Sequence, residues 1–332
     1  MTGLSRKALT DGIAQKNFVV LGRAGMDMFA HPPGVKSEHA EVFHADLGGS
    51  SANISAGLCK FDCRSTLVTS VSDDAVGRFC INKLEYYGVD TQYVRSVAGE
   101  FRNSLAVYES RIENFQNVIY RNGAADFQVT EDDMAAVDFS PFGALVTAGT
   151  VFAAEPSRSA TFAAFETARA QGLPVIFDID YRPYSWPSPE VAADVLSRAG
   201  AASDMIVGND EEFGFMAGGM DKGLTKARSL AEEGVGIVIY KMGEKGAVTF
   251  AGGEEIRTGI YPVNAVKPNG AGDSFMAGLL SGIAEGLDLR AAVLRGSACA
   301  SIVVARPGCA PAMPDHAQLA AFLADHPGPT ER

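Results

Sequence analysis

Short apolar runs rich in β-branched residues alternate along the chain with longer stretches whose apolar positions recur every three or four residues. The short runs predict strands at 17–22, 65–72, 144–149, 173–180, 205–209, 236–243 and 246–250. The longer stretches predict helices at about 50–61, 74–87, 157–171, 189–202, 222–233, 271–285, 288–305 and 316–325. Such alternation predicts an α/β fold with a mostly parallel central sheet between two helical layers, because parallel neighbours need crossover connections. Sites in these sheets belong at the carboxyl ends of the strands. Two stretches break the pattern. Residues 35–47 and 101–121 alternate polar and apolar positions with no helix between, which predicts a discontinuous antiparallel β lid beside the main sheet. No composition shift marks a second domain, so a single domain over 17–326 is expected, with polar tails at 1–16 and 327–332.

Composition narrows the partners. With 332 residues, 47% of them hydrophobic, the chain can bury a large core. A net charge of −12 argues against a nucleic-acid or anionic-membrane surface, and gives weight to any arginine held in a pocket. The five cysteines (59, 63, 80, 299 and 309) are odd in number and lack metal-like pairing, which suggests reduced thiols in a cytoplasmic protein. Cys59 and Cys63 read as small buried hydrophobes sharing one helix face. The first sixteen residues contain no apolar signal core, and no segment offers about 18 uninterrupted apolar residues.

The chemistry concentrates in Lys267-Pro268-Asn269-Gly270-Ala271-Gly272-Asp273, which runs into a predicted helix. Gly270, Ala271 and Gly272 leave main-chain N–H groups open to an anion, and the helix start adds partial positive charge. Asp273 then lies in the first turn, placed to take a proton from a hydroxyl. The P-loop pattern, a Gly-x-Gly-x-x-Gly after the first strand, and the protein-kinase set are all missing, so a nucleotide would need another glycine-rich helix start.

Ordered along the chain are Gly48-Gly49-Ser-Ser-Ala-Asn53, Asn209-x-x-Glu212, Lys241-x-Gly243-x-x-Gly246 and Gly270-Ala271-Gly272-Asp273. With these motifs, residues 17 to 315 resemble the ribokinase-like carbohydrate kinases, also called the phosphofructokinase-B family. Tyr120-Arg121 through Asp126 and Asp178 through Trp186 look most like the members that act on sugar acids.

The resemblance implies a ribokinase-like three-layer α/β/α fold and ATP-dependent phosphorylation of the primary hydroxyl of a keto-sugar acid, with Mg²⁺. It implies Asp273 as catalytic base beside the anion-binding Gly270, Ala271 and Gly272. Substrate contacts would come from Asp27, Gly48, Gly49, Asn53, Arg121 and Arg182, the two arginines suiting a carboxylate by their bidentate fork. Asn209 and Glu212 would organise Mg²⁺, with Asp210 and Glu211 open as alternatives. Asn209, Lys241, Gly243, Gly246, Cys299 and Gly308 would contact the nucleotide. Arg111 lies on the same flap without a comparable reason to single it out. Relatives often pair through their lids, so a homodimer is a further expectation by resemblance. Many relatives have an Asp six residues before the catalytic one, supporting a monovalent cation; this chain has Lys267, so activity independent of K⁺ is expected. Another carbohydrate kinase of the family, or a non-catalytic sugar or nucleotide sensor on the same fold, is the alternative. A pure binder has no need of Asp273.

Overall fold

The computed structural model describes residues 4–109, 114 and 116–330. The strands are β1 Asn17–Leu21, β2 Gly25–His31, β3 Val42–Gly48, β4 Arg64–Ser72, β5 Asp90–Val97, β6 Leu105–Tyr108, β7 Asn117–Tyr120, β8 Ala144–Ala148, β9 Val175–Asp178, β10 Met205–Asn209, β11 Ile237–Lys241, β12 Ala247–Ala251 and β13 Glu254–Thr258. Nine of them form one sheet in the order β13-β12-β11-β10-β9-β8-β1-β4-β5. It is parallel from β11 to β5, and β12 and β13 return antiparallel at one edge.

The central strands are apolar on both faces because helices cover both. Val19 and Leu21 of β1 belong to the core layer covered by the helices Ser157–Ala170, Pro189–Ala201 and Gly223–Glu232, while Phe18 and Val20 belong to the layer covered by Ser50–Lys60, Ala271–Ala284 and Leu289–Val304. The three-layer architecture expected from the alternation is therefore present.

The lid is a second sheet in the order β3-β2-β6-β7. Its outer pairs are antiparallel, and its central pair, β2 with β6, is parallel. The expected lid segments 35–47 and 101–121 supply β3, β6 and β7; β2 is not among the expected strands, since GMDMFAH carries no β-branched residue. Only Gly22, Arg23 and Ala24 separate β1 in the main sheet from β2 in the lid. Arg111 and its neighbours at 110–113 and 115 lie outside the described residues.

Other departures are local. The stretch 1–16, read as a tail, contains the helix Arg6–Ile13, capped by Ser5 and anchored by fully buried Leu9 and Ile13. A Cβ on its Gly12 would meet the Gly143 carbonyl oxygen at 2.5 Å, so the helix sits hard against the domain. In the other tail, Thr330 donates its N–H to the Ile260 carbonyl at 2.9 Å. All five cysteines are free. Cys59 ends the helix Ser50–Lys60 and Cys63 lies beyond it, so the two do not share a helix face. No helix among the described residues is long and apolar enough to cross a membrane.

Candidate active site

Three side chains rise from neighbouring parallel strands at one rim of the sheet: Asp178 ends β9, Asn209 ends β10 and Lys241 ends β11. They line a cleft of about 1420 Å³ that continues under the lid. Single-ligand pockets run to roughly 300–1,000 Å³, so this cleft has room for two ligands side by side.

Its floor is the turn into the helix Ala271–Ala284. Gly270 takes the left-handed conformation (φ 78°, ψ 0°), a backbone that favours glycine, and no side chain caps the helix start. The N–H groups of Ala271, Gly272 and Asp273 have no partner among the described residues, and the first helical bond is donated by Ser274 to Gly270. A Cβ on Gly270 would sit 3.2 Å from the Cys309 Sγ, and one on Gly272 would sit 3.6 Å from the Lys241 Nζ. Open amides and an ammonium therefore face the same small space, as an anion requires.

Asp273 lines that space, and Asn53 Nδ2 donates to its Oδ2 at 2.8 Å. Burial pushes the Asp273 carboxyl up, Asp180 adds to the rise, and the Asn53 bond opposes it, giving about 6. Asp27, on β2, is 1% exposed and also on the wall. Burial raises it to about 7, against the pull of Arg23.

The double glycine after β3 explains the fit of Asp27. A Cβ on Gly48 would overlap the Asp27 Oδ1 at 1.9 Å, and one on Gly49 (φ 99°) would meet the Arg23 carbonyl oxygen at 2.4 Å. Gly49, Ser50 and Asn53 face the cleft, whereas Gly48 stands behind Asp27.

Arg182 is on the wall and pairs with Asp180 at 2.7 Å. Asp180 holds a left-handed backbone (φ 37°), fixed by that pair and by a hydrogen bond from Ser50 Oγ. Burial favours the neutral form of Asp180, yet Arg182, Ser50, Arg23 and Arg121 together keep its carboxyl below the usual range. Arg121 is not on the wall. Its guanidinium is buried on Asp126 at 2.5 Å and stacks over Phe127, 4.1 Å from the ring centre. Breaking such a pair costs about 3–5 kcal/mol, which marks Arg121 as a support of the lid base. In its place the cleft presents Arg23, which follows β1 and carries no motif that sequence reading would single out.

At the other end, Asn209 and Glu212 form a reciprocal cap: the Asn209 side chain accepts from the Glu212 N–H, and Glu212 Oε2 accepts from the Asn209 N–H, both at 2.8 Å. Both residues line the cleft. Burial raises the Glu212 carboxyl, with Lys241 and Arg182 opposing. No cluster of three metal-binding side chains occurs among the described residues. Mg²⁺, which keeps waters and takes phosphate oxygens, is compatible with so sparse a protein ligand set. Gly243 (φ 53°) and Gly246 (φ 84°) turn β11 into β12 along the wall. Cys299 instead packs between helices, where a Cβ on Gly278 would lie 2.7 Å from its Sγ. Gly308 forms a turn against Pro311 off the wall, and Cys309 lines the cleft beside it.

Asp178 is likewise raised, by burial first, with Lys241 opposing and Glu212 and Asp180 assisting. A folded carboxyl raised above its unfolded value adds stability that is present below about pH 4 and lost as pH rises through the folded value. Asp178→Asn should therefore melt above wild type at pH 8, with the gain fading towards pH 4. A lower melting temperature at pH 8 would mean that Lys241 more than offsets the burial.

Residues 15–316 match the family described as pfkB family carbohydrate kinase. The chain is 33% identical over 315 residues to 5-dehydro-2-deoxygluconokinase of Geobacillus kaustophilus, covering 93% of this chain and 94% of that protein. Its fold is similar to fructokinase with bound ATP from Xylella fastidiosa, with a TM-score of 0.82 at 20% identity, over 94% of this chain and 99% of that one. It is similar also to a putative ribokinase II in complex with ATP and Mg²⁺ from E. coli, with a TM-score of 0.82 at 20% identity, over 93% and 99% of the two chains.

Proposed function

Since this chain belongs to the pfkB family of carbohydrate kinases, we propose that it transfers the γ-phosphoryl group of ATP to the primary hydroxyl of a keto-sugar acid, 5-dehydro-2-deoxygluconate. One observation carries the reading: Asp273 presents a half-buried carboxyl to the cleft from the same turn whose amides have no partner among the described residues. A proton acceptor beside an oxyanion cradle is what phosphoryl transfer to an alcohol needs.

In this reading the acceptor lies under the lid against Asp27, Asn53 and Arg182, and the triphosphate lies along the rim from Gly272 past Lys241 to the Gly243–Gly246 turn. Asp273 takes the hydroxyl proton as the oxygen attacks the γ-phosphorus. The bond from that phosphorus to the bridging oxygen breaks, and ADP leaves with the electron pair. The amides of Ala271 and Gly272, with Lys241, hold the charge spread over the transferring oxygens. Asn209 and Glu212 would hold Mg²⁺ through its waters, and the ion would supply charge neutralisation on the phosphates. Lys267 is 4% exposed and donates to the Asn269 carbonyl at 2.5 Å, so a fixed ammonium lies at the back of the glycine turn.

A coupled ADP-release screen over sugars, keto-sugar acids and nucleosides, run with and without K⁺, tests the reading. The highest kcat/KM is expected with 5-dehydro-2-deoxygluconate, at a rate that K⁺ does not change. A preference for 2-keto-3-deoxygluconate would move the assignment to that acid, and a preference for a neutral sugar would end it. Turnover that collapses without K⁺ would remove Lys267 from its role.

A further inference from the structure

Two arginines, Arg23 and Arg182, line the cleft and a third, Arg121, is buried off its wall; two of the three already have a carboxylate. Arg121 is paired with Asp126 at 2.5 Å and Arg182 with Asp180 at 2.7 Å. Arg23 has no carboxylate at ion-pair distance among the described residues, and its guanidinium makes one hydrogen bond there, from Nη1 to the Ser104 Oγ at 2.9 Å. A guanidinium carries five N–H donors, so four remain without a protein acceptor. Yet Arg23 is only 7% exposed, and it faces the cleft. A buried cation left this way is costly unless something else supplies the anion.

We propose that Arg23 is the specificity-determining residue that receives the carboxylate of the acceptor. This rests on the reading of the acceptor as a keto-sugar acid. The neighbours agree with the assignment. Tyr108 and Tyr184 also line the cleft, and both lie close enough to Arg23 to act on its charge. Asp27 favours the charged form of Arg23 against its burial but makes no ion pair with it, so the open N–H donors are not taken up. The backbone of Arg23 is fixed from two sides: its carbonyl accepts from the Ala52 N–H at 3.2 Å, and Gly49 packs on that same carbonyl. A planar fork on a rigid backbone is suited to bidentate binding of a carboxylate.

The test is steady-state kinetics of Arg23→Met and Arg23→Lys on 5-dehydro-2-deoxygluconate. A hydrogen bond to a charged group corresponds to roughly ten- to hundredfold in affinity. Arg23→Met should raise KM by about that factor with kcat little changed, and Arg23→Lys should recover part of the loss. The melting temperature should hold in Arg23→Met and fall in Arg121→Met, which strands Asp126. Should Arg23→Met fail to fold, the inference stands or falls on a raised KM in Arg23→Lys. A wild type that phosphorylates the acid, with Arg23 variants of unchanged KM, overturns the inference and leaves the proposed function standing. A wild type that phosphorylates only neutral sugars overturns both.

Discussion

Asp273→Asn should lower kcat by a factor of about 10² or more while changing KM only modestly, since a positioned base contributes to the transition state and little to ground-state binding. The substitution is nearly isosteric, and the new side-chain oxygen can still accept from Asn53, so the turn into the helix Ala271–Ala284 should survive. The wild-type pH profile has a defined sign. Burial and Asp180 set the Asp273 carboxyl at about 6 in the free protein, and only the ionised form accepts a proton, so kcat/KM should fall as pH drops through about 6. The variant should lose that acid limb. Near-normal turnover in Asp273→Asn would take the base away from this residue, whatever the profile showed.

Lys241→Met should lower kcat by about 10² to 10³, the range seen when one preorganised donor to a developing charge is removed. Lys241 is the largest attractive partner of both Asp178 and Glu212, so its loss also drives those two buried carboxyls further up. Methionine keeps the length of the stem and its contact with Phe275, whose ring centre lies 5.2 Å from the ammonium. A fall in kcat with a retained melting temperature is the expected combination. If turnover stays within threefold of wild type, the phosphates are held by the amides and the metal without this ammonium.

Much of the frame was legible because period decides it. The runs IVIY in β11 and FVVL in β1 are apolar at every position, and only strands covered on both faces need that. The glycine turn at 270–272 was legible because its chemistry is local: small residues with open amides and an acid in the first turn follow from seven consecutive residues, and the left-handed Gly270 is what the fold adds. What escaped depends on partners distant in sequence. The strand β5 has exposed and half-buried positions without clean alternation, because it is the sheet's outer strand. The two arginines show the same limit more sharply. Arg121 and Arg23 are the same residue type, each with an aspartate a few residues on, and only the fold pairs the first with Asp126 and leaves the second without an ion pair among the described residues.

The three-residue link from β1 to β2 has a mechanical consequence. Arg23 stands within it and Asp27 lies just beyond, so whatever binds these two groups grips the shorter of the two straps, 22–24 and 98–104, that run from the main sheet straight into the lid. On the proposed placement an acceptor would touch that strap, while a nucleotide lying along the rim from Lys241 to Gly246 would not.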